Sequence, residues 1–228
     1  MEEHIINLII VAVCSWTALF FMFRKLLPNK SYEFSNRLVS TTHATLAVTL
    51  SFLSVQDFTC PVCPHASLST PKQMQALAIT VGYLIYDLVC SHFDERSANI
   101  DNTLHHLVSI IGLGAGLAYQ KCGAEMAATL FITEISSPFL HLRELLKEFG
   151  YKDTDLNLAA DVMFAVIFSV ARMVGGPYLA YVTLTEDNPL LIKIMASGLQ
   201  LVSAFWFYKI LRMVKHKFTK RNTVKKLA

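Results

Sequence analysis

Charge is the first thing that this 228-residue sequence has little of. Asp, Glu, Lys and Arg make up 16% of the chain, whereas soluble globular domains carry about 25%. Hydrophobic residues make up 54%, and the mean hydropathy is +0.44. The composition argues against an ordinary soluble domain and indicates a membrane protein.

Long polar connections are also scarce, because the apolar residues fall into blocks with little chain between them. A helix that crosses a bilayer needs about 17–25 mostly apolar residues, and several blocks reach that length. The predicted spans are 5–23, 38–56, 73–92, 103–120, 124–142, 157–182 and 190–211. We find no internal repeat and no low-complexity run. We therefore expect an all-α, polytopic membrane protein with a bundle of about seven transmembrane helices.

Positive charge is missing from the leader "MEEH", where a cleaved signal peptide needs it. Lys and Arg instead gather on the segments that are cytosolic if the C-terminus is cytosolic, most densely after residue 209. This asymmetry predicts a lumenal N-terminus and a cytosolic C-terminus. We expect an anchor helix with a cytosolic loop in 1–30, the main transmembrane domain in 31–214 and a basic cytosolic tail in 215–228.

The chain ends in "KKLA", which places Lys225 and Lys226 close to a predicted cytosolic terminus. This pair resembles the dilysine signal that coat proteins read when they return membrane proteins to the endoplasmic reticulum. The alternative is one more basic pair facing anionic lipid. We predict residence in the endoplasmic reticulum. The sequon "NKS" at Asn29 falls in a predicted cytosolic loop, so we expect it to be unmodified.

Cysteine is sparse, with five residues in the chain. Cys60 and Cys63 lie in the loop "CPVCPH", which the predicted topology places in the lumen, and they could pair with each other or with Cys122. A lone CxxC favours a loop staple or free thiols over redox catalysis or zinc, so no metal site is expected. The glycines at 112–116 follow no strand, which excludes a dinucleotide-binding loop. We expect no resident cofactor and no nucleic-acid partner.

Ionisable side chains nevertheless occur inside the predicted spans, where they are costly. Asp87, Asp161 and Arg172 facing lipid would together cost about 9 kcal/mol. We therefore expect these groups to face the bundle interior, around a cavity at the cytosolic end. A buried, satisfied hydrogen-bond network is the alternative. The intramembrane acids, histidines and arginine are His43, Asp87, His105, His106, Glu134, His141, Asp161 and Arg172.

Helical spacing gives some of these residues a direction. His105 shares a face with Ser109 and Gly112, whereas His106 points about 100° away, toward a partner or the headgroup boundary. Tyr83 lies one turn from Asp87, so the two can hydrogen-bond or line a cavity together.

The later spans allow two further expectations. Asp161 and Arg172 are about 16 Å apart along one helix, so they cannot pair. Arg172 is expected to meet Glu125 or a lipid phosphate instead. "GGP" at residues 175–177 should kink this helix or widen the cavity.

Four pieces of the sequence together resemble the TLC-domain family, which includes ceramide synthases and the translocating chain-associated membrane protein. They are "SYEFSNRLVSTTHA", "GYLIYDL", "LHHLVSI" and "TEISSPFLHLR", in that order from residue 31 onward. The first and third look closest to the member group called TLC domain-containing protein five. The resemblance to ceramide synthases assigns catalysis to His105, His106 and an acid near Glu134. Their second acid falls near Ser137, a departure that argues against ceramide synthesis itself.

These observations predict a protein of the endoplasmic reticulum that acts in membrane lipid homeostasis by binding or sensing lipid in a polar cavity. The alternative is a lipid acyltransferase that uses acyl-CoA as a substrate and a His–acid pair. A transporter is a third reading, but no paired broken helices support it. The expected partners are membrane lipids. The catalytic candidates are His105, His106, Glu134 and Asp87, and the cavity candidates are His43, Tyr83, Asp161 and Arg172.

Overall fold

The computed structural model describes the backbone of residues 2–93 and 100–227 and the side chains of residues 3–91 and 100–215. Every regular element in these ranges is a helix, apart from an isolated antiparallel bridge between Leu68 and Lys121. The helices are α1 (Glu2–Leu26), α2 (Tyr32–Leu53), α3 (Pro71–Phe93), α4 (Ile100–Tyr119), α5 (Gly123–Glu134), α6 (Ser137–Glu148), α7 (Asp155–Val170), a π-helical turn (Ala171–Gly175), α8 (Gly176–Thr185) and α9 (Leu190–Leu227).

The predicted spans all fall on helices, and their outer surfaces are apolar. Within the described residues, four helical segments are long and apolar enough to cross a membrane: Glu3–Leu26, Pro71–Ser91, Asp155–Thr185 and Leu190–Lys215. Large side chains such as Phe21 and Leu201 are 64% and 73% exposed, while Asp161 and Arg172 are 2% and 4% exposed. This inversion of the soluble pattern is typical of a bundle in hydrocarbon. The number of seven spans and their orientation remain predictions.

The fifth predicted span is broken into α5 and α6 at Ile135 and Ser136. Pro138 stands in the first turn of α6. It has no backbone N–H and its ring crowds the carbonyl four residues earlier, so the helix that ends at Glu134 cannot continue unchanged. The break lets α6 pack against α2 and α7 while α5 packs against α2 and α3.

The sixth predicted span is a continuous helix that changes its winding in the middle. α7 passes into the π-helical turn Ala171–Gly175, and α8 follows directly with Gly176 and Pro177. The expectation at the "GGP" sequence was a kink or a wider cavity, and what the structure shows there is a wider helical turn just before the proline. Such turns occur often at functional sites.

A loop at one end of the bundle ties three helix ends together. The backbone N–H of Ser69 donates to the carbonyl of Gln120 at 2.9 Å, and that of Cys122 donates to the carbonyl of Ser67 at 2.8 Å. The backbone N–H of Ala66 donates to Oε1 of Glu125 at 2.7 Å. We call loop 57–70, together with the residues at 120–125 and 186–188 that hold it, the clasp.

The cysteines of the clasp take one of the two predicted arrangements. Cys60 is joined to Cys63 by a disulfide, and Cys122 is a free, fully buried thiol. Its S–H donates to Oδ1 of Asn188 at 2.6 Å, and Nδ2 of Asn188 donates to the carbonyl of Thr183 at 3.0 Å. Burial, together with the nearby Glu125, raises the pKa of the Cys122 thiol to about 12.

Candidate functional site

A cavity of about 570 Å³ lies at the end of the bundle opposite the clasp. Side chains from α2, α3, α4, α5, α6, α7 and α9 and from the π-helical turn form its wall. Six of the eight predicted site residues line it: Tyr83, Asp87, His105, His106, Glu134 and Arg172. The structure thus brings these six side chains, which come from separate helices and the π-helical turn, to the wall of one cavity.

His106 and Asp87 form the closest histidine–acid pair in this wall. Nε2 of His106 lies 3.4 Å from Oδ2 of Asp87, and the two side chains are 7% and 9% exposed. Nδ2 of Asn36 donates to the other carboxylate oxygen of Asp87 at 2.8 Å, and Tyr86 OH donates to Oδ1 of Asn36 at 2.8 Å. The carboxylate is therefore fixed by α2 and α3 and in turn fixes the imidazole on α4.

The adjacent histidine, His105, has different neighbours. Its ring centroid lies 4.7 Å from that of Trp206 on α9 and 5.7 Å from that of His106. Both imidazoles are buried in the bundle, with His106 5% exposed and His105 8% exposed. Of the two alternatives for His106, the structure shows a partner, Asp87. Nδ1 of each imidazole has no hydrogen-bond partner among the described residues.

Arg172 brings a buried positive charge into the cavity from the π-helical turn. Nη2 donates to the carbonyl of Thr133 at 2.5 Å, and Nη1 donates to Oγ of Ser203 at 3.4 Å. Of the two partners predicted for Arg172, Glu125 is excluded, because its carboxylate binds the backbone of Ala66 in the clasp. Glu134 lines the same cavity as Arg172 without forming an ion pair with it.

Two predicted cavity residues, His43 and Asp161, do not line this cavity. The ring of His43 stacks on Tyr83 with centroids 3.6 Å apart and meets the edge of Trp16 at 5.7 Å. Oδ1 of Asp161 lies 2.9 Å from Nε of Arg143, which lines the cavity. Both predictions failed because the position of a residue along a helix does not specify the direction in which its side chain points.

The wall also contains residues that the sequence reasoning did not single out. Asn36 stands four residues before Ser40 on α2, and both line the cavity. This polar spacing was visible in the sequence and could have identified the α2 face. Trp206 and Lys209 come from α9. Trp206 gave no such signal, because an aromatic residue in an apolar helix is usual.

A second, narrower cavity of about 80 Å³ shares Leu84, His105 and Glu134 with the first. Apart from these residues and Glu125, its lining is mostly apolar or hydroxyl-bearing, and it reaches Cys122 and other residues near the clasp. The polar cavity is thus continued along the bundle by a thin apolar space. A lipid has the same arrangement, with a polar head group followed by an apolar hydrocarbon chain.

Metal-ligand spacing occurs in the described side chains outside this cavity, in the clasp. The ligand atoms of Cys60, Cys63 and His65 all lie within 4.8 Å of one another. The two sulfur atoms are joined as a disulfide, so the thiolates that a metal ion would need are not present in this form.

An all-helical chain with an apolar exterior and a buried polar cavity is a member of the class of integral membrane proteins. Its sequence defines the family: the profile of the TLC domain matches residues 33–212. The chain therefore belongs to the TLC-domain family, as the four sequence pieces indicated.

Individual relatives agree with this assignment. TLC domain-containing protein 4-B of Danio rerio is 30% identical over 202 residues, which cover 82% of this chain and 76% of the relative. TLC domain-containing protein 4 C of Dictyostelium discoideum is 26% identical over 163 residues, which cover 68% of this chain and 58% of the relative. Putative TLC domain-containing protein L438 of Acanthamoeba polyphaga mimivirus is 21% identical over 146 residues, or 62% and 72% of the two chains. A closer resemblance to group five remains a prediction.

Proposed function

We propose that this protein binds or senses a membrane lipid by its polar end in the 570 Å³ cavity and so acts in membrane lipid homeostasis. The cavity itself is the observation that carries this proposal. Its volume lies within the range of about 300–1,000 Å³ that is usual for ligand pockets. The wall combines imidazoles, carboxylates and a guanidinium inside a bundle whose exterior is apolar.

Unsatisfied polar atoms in the wall support the binding of a polar group. Nδ1 of His105, Nδ1 of His106, Nδ1 of His141 and Nε of Arg172 have no hydrogen-bond partner among the described residues. A buried polar atom without a partner costs about 1–3 kcal/mol. A lipid head with donors and acceptors would relieve part of this cost, while the 80 Å³ extension receives a segment of hydrocarbon.

A cavity-filling variant tests this proposal. Ser40 is buried and lines the cavity, whereas Thr42 is exposed on the same helix, so Ser40→Phe and Thr42→Phe form a matched pair. Protein purified in mild detergent is analysed for co-purified lipid by mass spectrometry and for saturable binding of a fluorescent phospholipid. We expect Ser40→Phe to lose the lipid and Thr42→Phe to retain it. Equal lipid content in both variants, or none in the unmodified protein, would refute the proposal.

Acyl transfer is the second candidate, and the His106–Asp87 pair favours it. A carboxylate on Nε2 holds the neutral imidazole with its Nδ1 lone pair available, which suits a general base. Nδ1 of His106 would take the proton from a hydroxyl or amine of the lipid. At the same time, the oxygen or nitrogen of that group would form a bond to the acyl carbon of acyl-CoA. The carbon–sulfur bond breaks, and the proton returns to the departing CoA thiolate.

Labelled acyl-CoA separates the two candidates. An enzyme is expected to release CoA thiol and form an acyl lipid or an acyl-histidine adduct, and the products are lost in His106→Ala and Asp87→Asn. Lipid binding without thiol release would leave the binding function alone. Thermal unfolding of each variant controls for a site that has simply collapsed.

Residence in the endoplasmic reticulum is proposed from Lys225 and Lys226, which lie outside the described side chains. In cells, replacing both by Ser is expected to move the tagged protein to later secretory compartments. Replacing Lys215 and Lys217 by Ser removes the same charge from the tail and is expected to leave the location unchanged. A glycosidase-sensitive mass shift at Asn29 would contradict the proposed orientation.

A further inference from the structure

We propose that Arg172 binds the anionic group, a phosphate or a carboxylate, of the lipid that the cavity holds. This inference rests on the proposed lipid-binding function and names the chemistry of the ligand. It also makes one side chain responsible for selecting anionic lipids over neutral ones with the same chains.

Among the cations of the cavity wall, Arg172 differs because no described carboxylate forms a direct ion pair with it. Arg37 pairs with Glu33, Arg143 pairs with Asp161 and Glu144, and Lys209 pairs with Asp101. Arg172 is 4% exposed, and the carboxyl group of Glu134 acts on its charge only at longer range. A buried charge is normally paired at close contact, so this guanidinium can still accept an anion directly.

The guanidinium is already oriented for such a partner. Its two terminal nitrogens each reach a protein oxygen, on Thr133 and Ser203, while Nε has no partner in the described part of the chain. The rings of Phe168 and Trp206 lie 5.1 Å and 5.7 Å from its central carbon. An arginine held in this way loses little conformational freedom on binding and can offer its remaining N–H groups to an oxyanion as a fork.

The position of Arg172 in the fold is also unusual. It is the second residue of the π-helical turn, a feature that is rare in proteins and frequent at functional sites. Arg172 lines the 570 Å³ cavity and also a small cavity of about 30 Å³ beside it. The wider turn therefore places the guanidinium of Arg172 between the 570 Å³ cavity and the 30 Å³ cavity.

Glu134 supplies a second way to test the charge at this site. Its carboxyl group lines the same cavity and interacts with the charge of the guanidinium, so it competes with an anionic ligand for Arg172. Replacing this group by an uncharged amide should strengthen anion binding, which is the opposite of the effect expected for the loss of Arg172.

The experiment compares ligands that differ in one group. Purified protein in neutral detergent is titrated with dioleoyl phosphatidic acid and dioleoylglycerol, with oleate and oleyl alcohol, and with inorganic phosphate alone. We expect the unmodified protein to bind at least one of the two anionic lipids about tenfold more tightly than its neutral counterpart. Preference within the first pair identifies a phosphate, and preference within the second identifies a carboxylate.

Four variants then locate the preference. Arg172→Gln is expected to bring the ratio close to one, and Arg172→Lys to retain part of it because the charge remains without the planar fork. Glu134→Gln is expected to raise the ratio. Arg212→Gln removes the same charge from the exposed side of α9 and should leave the ratio unchanged. Unfolding temperatures and elution profiles establish that each variant is folded. If Arg172→Gln does not fold, the lipid preference of Glu134→Gln still tests the inference.

The failures of this inference and of the proposed function differ. Equal binding of anionic and neutral lipids by the unmodified protein would overturn the role of Arg172 while leaving lipid binding intact. An unchanged preference in folded Arg172→Gln, or a lower one in Glu134→Gln, would overturn it as well. Inorganic phosphate that binds as tightly as phosphatidic acid would overturn the lipid as the ligand. The absence of any lipid binding would refute the proposed function and this inference together.

Discussion

At the clasp, the thiol of Cys122 donates to Asn188, which in turn donates to the carbonyl of Thr183. At the other end of the bundle, His105 and Arg172 each keep a buried nitrogen without a partner among the described residues. Both ends bury polar groups in the same apolar surroundings. The clasp also has two buried oxygens without a described partner, Oγ of Ser69 and Oε2 of Glu125, but at the other end the unpartnered nitrogens belong to side chains that line a cavity of about 570 Å³. Unsatisfied groups are tolerated where a protein acts, so the comparison distinguishes a packed end of the bundle from an end that can bind a ligand.

The largest effect is expected beside the cavity, where Asp161 pairs with Arg143 of the cavity wall. Asp161→Ala leaves a buried arginine without this carboxylate, although Glu144 remains 3.2 Å from its Nε. We expect a loss of about 3 kcal/mol in the free energy of unfolding, the low end for a broken buried pair. Thermal unfolding in detergent should show a fall of about 6–12 °C.

Asp153→Ala, in the exposed turn before α7, serves as the control for Asp161→Ala and should change the unfolding temperature little. The lipid preference of folded Asp161→Ala should remain that of the unmodified protein. A lost preference at unchanged stability would place Asp161 in the binding site and contradict a purely structural role for its pair with Arg143.

A smaller loss is expected within the clasp for Asn188→Ala. The substitution leaves the Cys122 thiol and the carbonyl of Thr183 without their partner, at about 1–3 kcal/mol. Thermal unfolding should occur several degrees lower, with lipid binding unchanged once the protein is folded. The matched variant is Asp187→Ala, which alters the exposed neighbour. Equal unfolding temperatures for the two variants would contradict a structural role for Asn188.

His43→Leu should change stability less than either of these variants. His43 is 1% exposed, and neither of its ring nitrogens has a partner in the described part of the chain. Leucine loses the stacking on Tyr83 but removes two unsatisfied polar atoms, so the net change is expected to stay within about 1 kcal/mol. A fall of more than 10 °C in the unfolding temperature would mean that the imidazole of His43 makes stabilising hydrogen bonds. His43 would then count among the satisfied polar groups of the bundle.

The smallest effect is expected for thiol labelling at the clasp. With a pKa of about 12, the Cys122 thiol is ionised to only about one part in 10⁴ at pH 8, and it is also buried. Maleimide at pH 8 should leave it unmodified until the protein is unfolded. Cys60 and Cys63 should react only after reduction. Peptide mass spectrometry reads each site, and rapid labelling of Cys122 in the folded protein would show that the clasp opens.

Helix positions were predictable because each apolar run is long and ends in polar or turn residues. The break at Ile135 and Ser136 was not predicted, because the apolar residues before and after Pro138 were assigned to one span, 124–142. Hydropathy measures how suitable a segment is for lipid. It does not show whether the backbone hydrogen bonds of that segment are continuous.

That the ionisable side chains face the interior of the bundle was predictable, because exposing a charged side chain to hydrocarbon is unfavourable in free energy. This argument correctly brought Asp87, His106 and Arg172 to one cavity. It could not identify the partners: the resemblance suggested an acid near Glu134 for the histidines, and the structure gives Asp87 to His106. Partner choice depends on how neighbouring helices are rotated about their axes, and a single sequence does not encode that rotation in a readable form.

The turn at Ala171–Gly175 has an evolutionary consequence. A π-helical turn holds more residues than an α-helical turn, so inserting a single residue into a regular helix would be enough to produce one. Relatives whose helix is regular should therefore show a one-column gap here when sequences are aligned. In those lineages, the position that aligns with Arg172 would be carried around the helix axis, and the ligands that they select should differ.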